Sequence, residues 1–326
     1  MSSLLLKLDP NEEHFRIPSQ LDGLALFLRY LPPTVQHPGK AKIVLYVHGG
    51  SFPSALSIAH RFDGRSWRDE LAAAGFHVWG LDFLGFGGSD PYPEMAESAA
   101  GKPALGRTVA ASEQIERAVR FITAHHDVSK ISIIAHSWGT IASGHFAARC
   151  PDLVQRLVFF GPVTWRPKKT EPKVFPAWRM VSAKDQWDRF TAEVPPGEPP
   201  VLSKQNFEEW ASLYMDTDRE SGSRSPPSVK TPSGPWQDIA AASAGDCAYD
   251  PGLIRAPVAI IRGEWDSLAT DADAHWLFDA LKLSPVKRDV KIGRATHLMH
   301  LEENRYALYR EAQTFLDDRD RQPELH

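Results

Sequence analysis

The feature that most restricts what this chain can fold into is an alternation of two hydrophobic patterns. Residues 43–47 (Ile43-Val44-Leu45-Tyr46-Val47) are apolar at every position, which suits a strand covered on both faces. Strongly apolar runs of similar length stand at 78–81, 131–134, 157–160 and 258–261. Between them lie segments of helical period. In 108–125, Ile115, Ala118, Val119 and Ile122 fall on one helical face, and similar spacing runs through 67–74, 139–148, 271–281 and 304–316. Strands alternating with helices of this length predict an α/β fold, a mostly parallel central sheet with helices on both faces. Residues 14–18 and 24–30 read as an antiparallel pair leading into that sheet.

One stretch breaks the rhythm. Residues 163–250 hold 11 of the 26 prolines and five of the ten tryptophans, and they lack buried-strand runs. They read as a helical cap inserted on top of a core built from 1–162 and 251–326. Helices are predicted at 183–193 and 204–215, with mobile connections, and 221–235 is rich in Ser, Pro and Gly.

Composition narrows the partners. Hydrophobic residues at 42% and charged residues at 24% suit a soluble globular protein, and a net charge of −4 gives no electrostatic reason to expect nucleic acid or an anionic membrane. The short basic run Arg166-Pro167-Lys168-Lys169 reads as a solvated loop. Two cysteines, Cys150 and Cys247, cannot build a disulfide framework and are expected as unpaired thiols. The start, Met1-Ser2-Ser3-Leu4-Leu5-Leu6-Lys7, lacks the parts of a signal peptide, and no window approaches 18 consecutive apolar residues. A cytoplasmic protein acting on a small molecule is expected, with its oligomeric state left open.

The strongest local signal is Ala135-His136-Ser137-Trp138-Gly139, directly after a buried strand and directly before a helix. A serine there sits on a sharp turn with its hydroxyl lifted above the sheet edge, and small neighbours let adjacent backbone approach. The helix that follows aims its N-terminal N–H groups at developing negative charge. An ordinary turn with serine as a helix cap would look the same over these five residues. The motif resembles the nucleophile elbow of α/β-hydrolases, G-x-S-x-G, with Ala135 in place of the first glycine. Three further segments resemble the same family and stand in its order. Val47-His48-Gly49-Gly50-Ser51-Phe52 is similar to the H-G-x loop, Arg262-Gly263-Glu264-Trp265-Asp266 to the acid loop, and Gly293-Arg294-Ala295-Thr296-His297 to the histidine loop after a last strand at 286–292. The resemblance spans roughly 14–317 and is to the serine-nucleophile branch with a cap, carboxylesterase- or lipase-like.

The resemblance implies that Ser137 is the nucleophile, His297 its base, and Asp266 the group that orients the imidazole. It also implies an oxyanion hole made by the backbone N–H groups of Gly50 and Trp138. Glu264 is a rival carboxylate, His300 is read as a packed or supporting histidine, and His136 as structural. Asp82-Phe83-Leu84-Gly85-Phe86-Gly87-Gly88-Ser89 is similar to the family's D-x-x-G-x-G-x-S loop, whose glycines are read as conformational. No lysine follows them as a phosphate loop requires, and no His/Cys/Asp cluster has metal-ligand spacing, so neither cofactor nor metal is expected.

A serine rather than an aspartate at the elbow implies acyl chemistry on an ester, lactone, thioester or activated amide. Trp138, Trp165, Trp178, Trp210 and Trp236 are candidates for a hydrophobic substrate pocket, each of which could equally pack within the cap. The same fold and residues also serve carbon–carbon bond hydrolases, acyltransferases, cofactor-free dioxygenases and ligand receptors with a near-silent triad, and fold does not choose among them.

Overall fold

The computed structural model describes residues 7–35, 41–166, 171 and 173–317; the start of the chain and residues 167–169 of the basic run lie outside them. In chain order the elements are β1 (Glu13–Pro18), β2 (Ala25–Leu31), β3 (Lys42–Val47), α1 (Trp67–Ala73), β4 (Phe76–Asp82), α2 (Thr108–His126), β5 (Ile131–His136), α3 (Trp138–Arg149) and β6 (Val154–Phe160). They continue with β7 (Trp178–Ser182), α4 (Ala183–Thr191), α5 (Lys204–Met215), β8 (Ser228–Pro232), α6 (Gly234–Ser243), β9 (Val258–Gly263), α7 (Asp271–Ala280), β10 (Lys287–Ile292) and α8 (Arg305–Asp317).

Eight strands form one sheet in the order β1-β2-β4-β3-β5-β6-β9-β10. The pairs β1–β2 and β2–β4 are antiparallel, and every later pairing is parallel. The central strands are buried on both faces because each face carries its own helices. Leu45, Ile133 and Leu157 pack with α2, α3 and α7 through Ile115, Phe146 and Leu277. Val44, Ile134 and Val158 point the other way, onto Trp67 of α1 and Leu308 and Phe315 of α8. This is the alternation that a two-sided strand imposes on consecutive side chains. Because β3, β5, β6, β9 and β10 run parallel, the loops leaving their carboxyl ends all emerge at one edge of the sheet, where α/β folds place their ligands.

The stretch between β6 and β9 departs from the expectation of helices joined by mobile connections. Helices α4 and α5 are present, but so is an antiparallel ribbon of β7 and β8, from Trp178 opposite Pro232 to Ser182 opposite Ser228. The Ser- and Pro-rich stretch therefore supplies a strand and the start of α6. Phe190, Phe207, Trp210, Tyr214 and Val229 of this stretch share a core with Phe52 and Leu56 after β3 and with Leu298 and Leu301 after His297. The insertion is thus packed on two of the loops at the sheet edge.

A single carboxylate secures its α6 end. Asp238 Oδ2 accepts from Thr108 N (2.7 Å), Thr108 Oγ1 (2.7 Å) and the Trp138 indole (3.0 Å), while Oδ1 accepts from Arg107 Nε (2.7 Å). It satisfies the orphan N–H of Thr108 at the start of α2 and so binds the insertion to α2 and α3. Among the described residues no helix is long and apolar enough to cross a membrane. Both cysteines, Cys150 and Cys247, are unpaired thiols.

A buried ionic knot ties β2 and α1 to the loop after β3. Glu12 is fully buried and pairs with Arg29 of β2 and with Arg68 of α1 (3.1 Å), while Arg29 Nε donates to Ser54 Oγ (3.1 Å). Burial works to raise the Glu12 carboxyl, but the hydrogen bond to His14 and the charges of Arg29 and Arg68 outweigh it, moving it from 4.5 to about 2. A carboxyl lowered on folding contributes stability above its unfolded value that is lost as the pH falls through its folded value. Glu12→Gln should therefore cost about 3–5 kcal/mol near neutrality, since it strands buried guanidinium charge. Urea denaturation of the two proteins should show this deficit shrinking as the pH falls from 4.5 toward 2.

Candidate active site

Ser137 joins β5 to α3 in a single residue, with φ 53° and ψ −127°. A residue with a side chain rarely occupies this region, so the surroundings must hold it there. Ser137 N donates to Phe160 O at the end of neighbouring β6 (3.1 Å), and its carbonyl accepts from Thr140 N (2.9 Å) and Thr140 Oγ1 (2.6 Å). The small residue that follows has a steric cause. A Cβ on Gly139 would lie 2.5 Å from His48 O, because α3 packs directly on the end of β3. Ala135 is a fully buried β5 residue within the core, where the methyl group is accommodated.

Three side chains distant in sequence form one hydrogen-bonded chain. Ser137 Oγ is 2.7 Å from His297 Nε2, and His297 Nδ1 is 3.0 Å from each Asp266 carboxylate oxygen. Burial would raise the Asp266 carboxyl, but the charge and hydrogen bond of His297 and the N–H groups of Ala269 and Leu268 outweigh it and hold it below the ordinary carboxylate range. An ionised carboxylate only accepts, so Nδ1 carries the proton and donates it. Nε2 is then left to accept from the Ser137 hydroxyl, the arrangement required for an imidazole to act as a base.

The rivals for these roles are engaged elsewhere. Glu264 accepts from Arg294 N (2.9 Å). His136 stacks on Phe160 and donates from Nε2 to the carbonyl of His297 (3.0 Å). His300 is fully buried against His136, Phe160 and Phe52, and burial with the nearby charges of His297 and His60 lowers it to about 3. Both histidines are therefore neutral packing and support.

Each loop has its own anchor. Asp266 Oδ1 turns its loop by accepting from Leu268 N and Ala269 N, both at 2.9 Å. Gly161 leaves room for the pair: a Cβ there would lie 3.0 Å from His297 Nδ1 and 3.2 Å from Asp266 Oδ2. Glu302 receives Thr296 N (3.1 Å) and Thr296 Oγ1 just before His297. Glu193, two residues beyond α4, receives His297 N at 2.8 Å; nothing in its local sequence marks it for this position. The loop after β3 is tied to the β4 loop, since His48 Nε2 accepts from Phe83 N (3.1 Å) and Asp82 accepts from Ser54 N (2.9 Å) and Gly88 N (3.0 Å). The glycine-rich loop after β4 is thus a brace.

Gly49 and Gly50 run against the serine turn. A Cβ on Gly49 would lie 3.2 Å from Ser137 Cβ, and one on Gly50 would lie 3.9 Å from Trp138 Cβ and 2.6 Å from Pro235 Cβ of α6. A cavity opens beside Ser137 and His297, lined from the core by Gly50, Phe52 and Leu298 and from the insertion by Gln186, Arg189, Trp236 and Ile239.

Of the five tryptophans expected at a substrate, Trp236 lines this cavity, and Trp165, Trp178 and Trp210 are placed elsewhere. Trp165 donates to Gly245 O (2.7 Å) and stacks on Trp276, Trp178 donates to Glu97 O (3.1 Å) beneath Lys230, and Trp210 donates to Leu56 O (2.9 Å) inside the insertion core. An indole N–H taken out of water needs an acceptor, and these three find theirs away from the cavity. Trp138 directs its indole to Asp238 and so offers the site its backbone. Among the described residues no group of three or more His, Cys, Asp or Glu is placed to hold a metal ion.

The sheet order, the elbow turn and the loops at one edge define an α/β-hydrolase architecture. The family model described as alpha/beta hydrolase fold matches residues 42–304, and the chain belongs to that family. Solved structures share its fold. The thioesterase domain from the curacin biosynthetic pathway superposes with a TM-score of 0.61 at 15% identity, covering 93% of this chain and 99% of that one. An esterase from Thermogutta terrifontis gives 0.56 at 18% identity, with 93% and 98% covered. The enol-lactonase from Burkholderia xenovorans LB400 gives 0.56 at 16%, with 92% and 99% covered. No curated protein sequence matches the chain.

The Gly161 position offers a direct test of the geometry. Gly161 has φ 53°, and an added methyl group must push against the imidazole or the carboxylate. Gly161→Ala should slow phosphorylation of Ser137 by diisopropyl fluorophosphate at least about tenfold while costing roughly 1 kcal/mol of stability. Labelling rates and thermal melts read the two effects separately.

Proposed function

We propose that this chain is a serine hydrolase that cleaves an ester, lactone or related acyl bond of a small, fairly hydrophobic substrate. The observation that carries this reading is the unbroken path from Ser137 Oγ through His297 to Asp266, opening on a cavity. In this mechanism His297 takes the Ser137 proton as Oγ attacks the acyl carbon, and returns it to the leaving group. Asp266 remains ionised and stabilises the imidazolium. Water, activated by the same imidazole, then releases the acyl group. The N–H groups of Gly50 and Trp138 are the proposed donors to the tetrahedral oxyanion, and each such donor is worth about 3–4 kcal/mol of barrier.

The insertion acts in this reading as a cap that closes the site. Phe52, Ile239, Leu268, Leu298 and Trp236 make its lining mainly apolar, which supports a hydrophobic acyl or alcohol part. Two lining residues carry a buried nitrogen without a hydrogen-bond partner, Arg189 Nη2 and Trp236 Nε1. They support a substrate with an acceptor oxygen away from the scissile carbon, because an unpaired buried donor is costly.

Mixing with short-chain nitrophenyl esters should give a burst of nitrophenol stoichiometric with protein, followed by steady turnover. The burst should vanish in Ser137→Ala and in His297→Ala. Full activity in either variant removes the mechanism, and a burst with no turnover marks a receptor-like protein that acylates and stalls.

A further inference from the structure

One carboxylate of the insertion reaches both loops that carry the acid and the base. Glu193 Oε2 accepts from the backbone N–H of His297 itself at 2.8 Å. Glu193 Oε1 accepts from the backbone N–H of Ser267, the residue after Asp266, at 3.0 Å, and from the Ser267 hydroxyl. The side chain is only 4% exposed, and Arg189, one helical turn earlier, lies 3.4 Å from Oε2. The partners are 74 and 104 residues away in sequence, and both belong to the core.

We infer that Glu193 is a positioning residue that clamps the acid loop to the histidine loop, so that the pair is aligned only while the insertion is seated. The inference rests on the serine-hydrolase reading for its effect on rate, and on the hydrogen bonds alone for its effect on the loops. The physical argument is one of geometry. Asp266 and His297 leave different strands, β9 and β10, and each is tied to its own loop by local bonds. Glu193 accepts from both loops at once, and hydrogen bonds that end on a carboxylate are stronger than those between neutral groups. A carboxylate is suited to this task because each of its oxygens accepts. A glutamine in its place offers one acceptor and one NH₂ group, which cannot accept from the second loop. Glu193 touches neither the Ser137 hydroxyl nor the imidazole ring in any hydrogen bond described, so its action on chemistry is indirect.

The insertion packs on the core through Trp210, Phe207 and Leu298 without Glu193, and Asp238 holds its far end, so its loss leaves the fold standing. Misplacement of a catalytic group by an ångström costs rate on the order of a hundredfold. With nitrophenyl butyrate, kcat should fall about tenfold in Glu193→Gln and about a hundredfold in Glu193→Ala, while KM changes less than about threefold. Amide hydrogen exchange supplies a readout that needs no turnover: the segments holding Ser267 and His297 should both lose protection in Glu193→Ala, with β5 and β9 unchanged. Values of kcat within about twofold of the parent in both variants, or continued protection of the two segments, overturn the clamp. Should the parent protein hydrolyse no ester and resist fluorophosphonate, the serine-hydrolase reading fails, and the exchange result alone decides on Glu193.

Discussion

The backbone turn at Ser137 is the constraint on which the rest of the molecule depends. A residue with a side chain is held at φ 53° between a buried strand and a helix, and nothing local favours that conformation. It persists because the strand is locked between β3 and β6, because Thr140 satisfies its carbonyl, and because Gly139 lets α3 lie against the His48 backbone. The outcome is a hydroxyl held outside the sheet edge with its direction fixed. The other loops arrive at that edge for a topological reason: parallel strands put their carboxyl ends together.

Much of this was readable from residue pattern. The sheet strands announced themselves as apolar runs, since burial on both faces removes the polar alternation. The elbow, the acid loop, the histidine loop and the loop after β3 stood in family order, and the structure brings Ser137, Asp266 and His297 into one hydrogen-bonded path. The insertion was far less legible. Trp178-Arg179-Met180-Val181-Ser182 does not alternate in a way that marks a strand, and its partner 228–232 ends in proline within a Ser- and Pro-rich tract. Their pairing is a long-range event. The tryptophans misled for a related reason, because an indole serves equally in a pocket or a core, and its N–H partner decides which. Trp165, Trp178 and Trp210 find backbone carbonyls that no local pattern could specify. Glu193 had no signal at all, as both its partners are remote.

Polar groups in the interior share out the work of rigidity. Asp82, Asp238 and Glu12 each tie segments from different parts of the chain, and none belongs to the proposed reacting set. Buried carboxylates are costly unless every oxygen is used, and here most are saturated by N–H donors or guanidinium groups. His136 and His300 follow a different logic: kept neutral by burial, His136 lies against the imidazole of His297 and His300 backs His136, without competing for its proton.

The grip of Asp238 on α2 and on the Trp138 indole has a consequence for traffic into the cavity. With those four bonds intact, α6 stays fixed to the core, and Pro235 stays seated over Gly50. A passage that preserves them has to open away from Gly50, on the α4 and α5 side, where Glu193 and the Trp210 indole also hold the insertion to the core. The insertion is therefore held at both ends, on α2 and α3 by Asp238 and on the loops after β9 and β10 by Glu193.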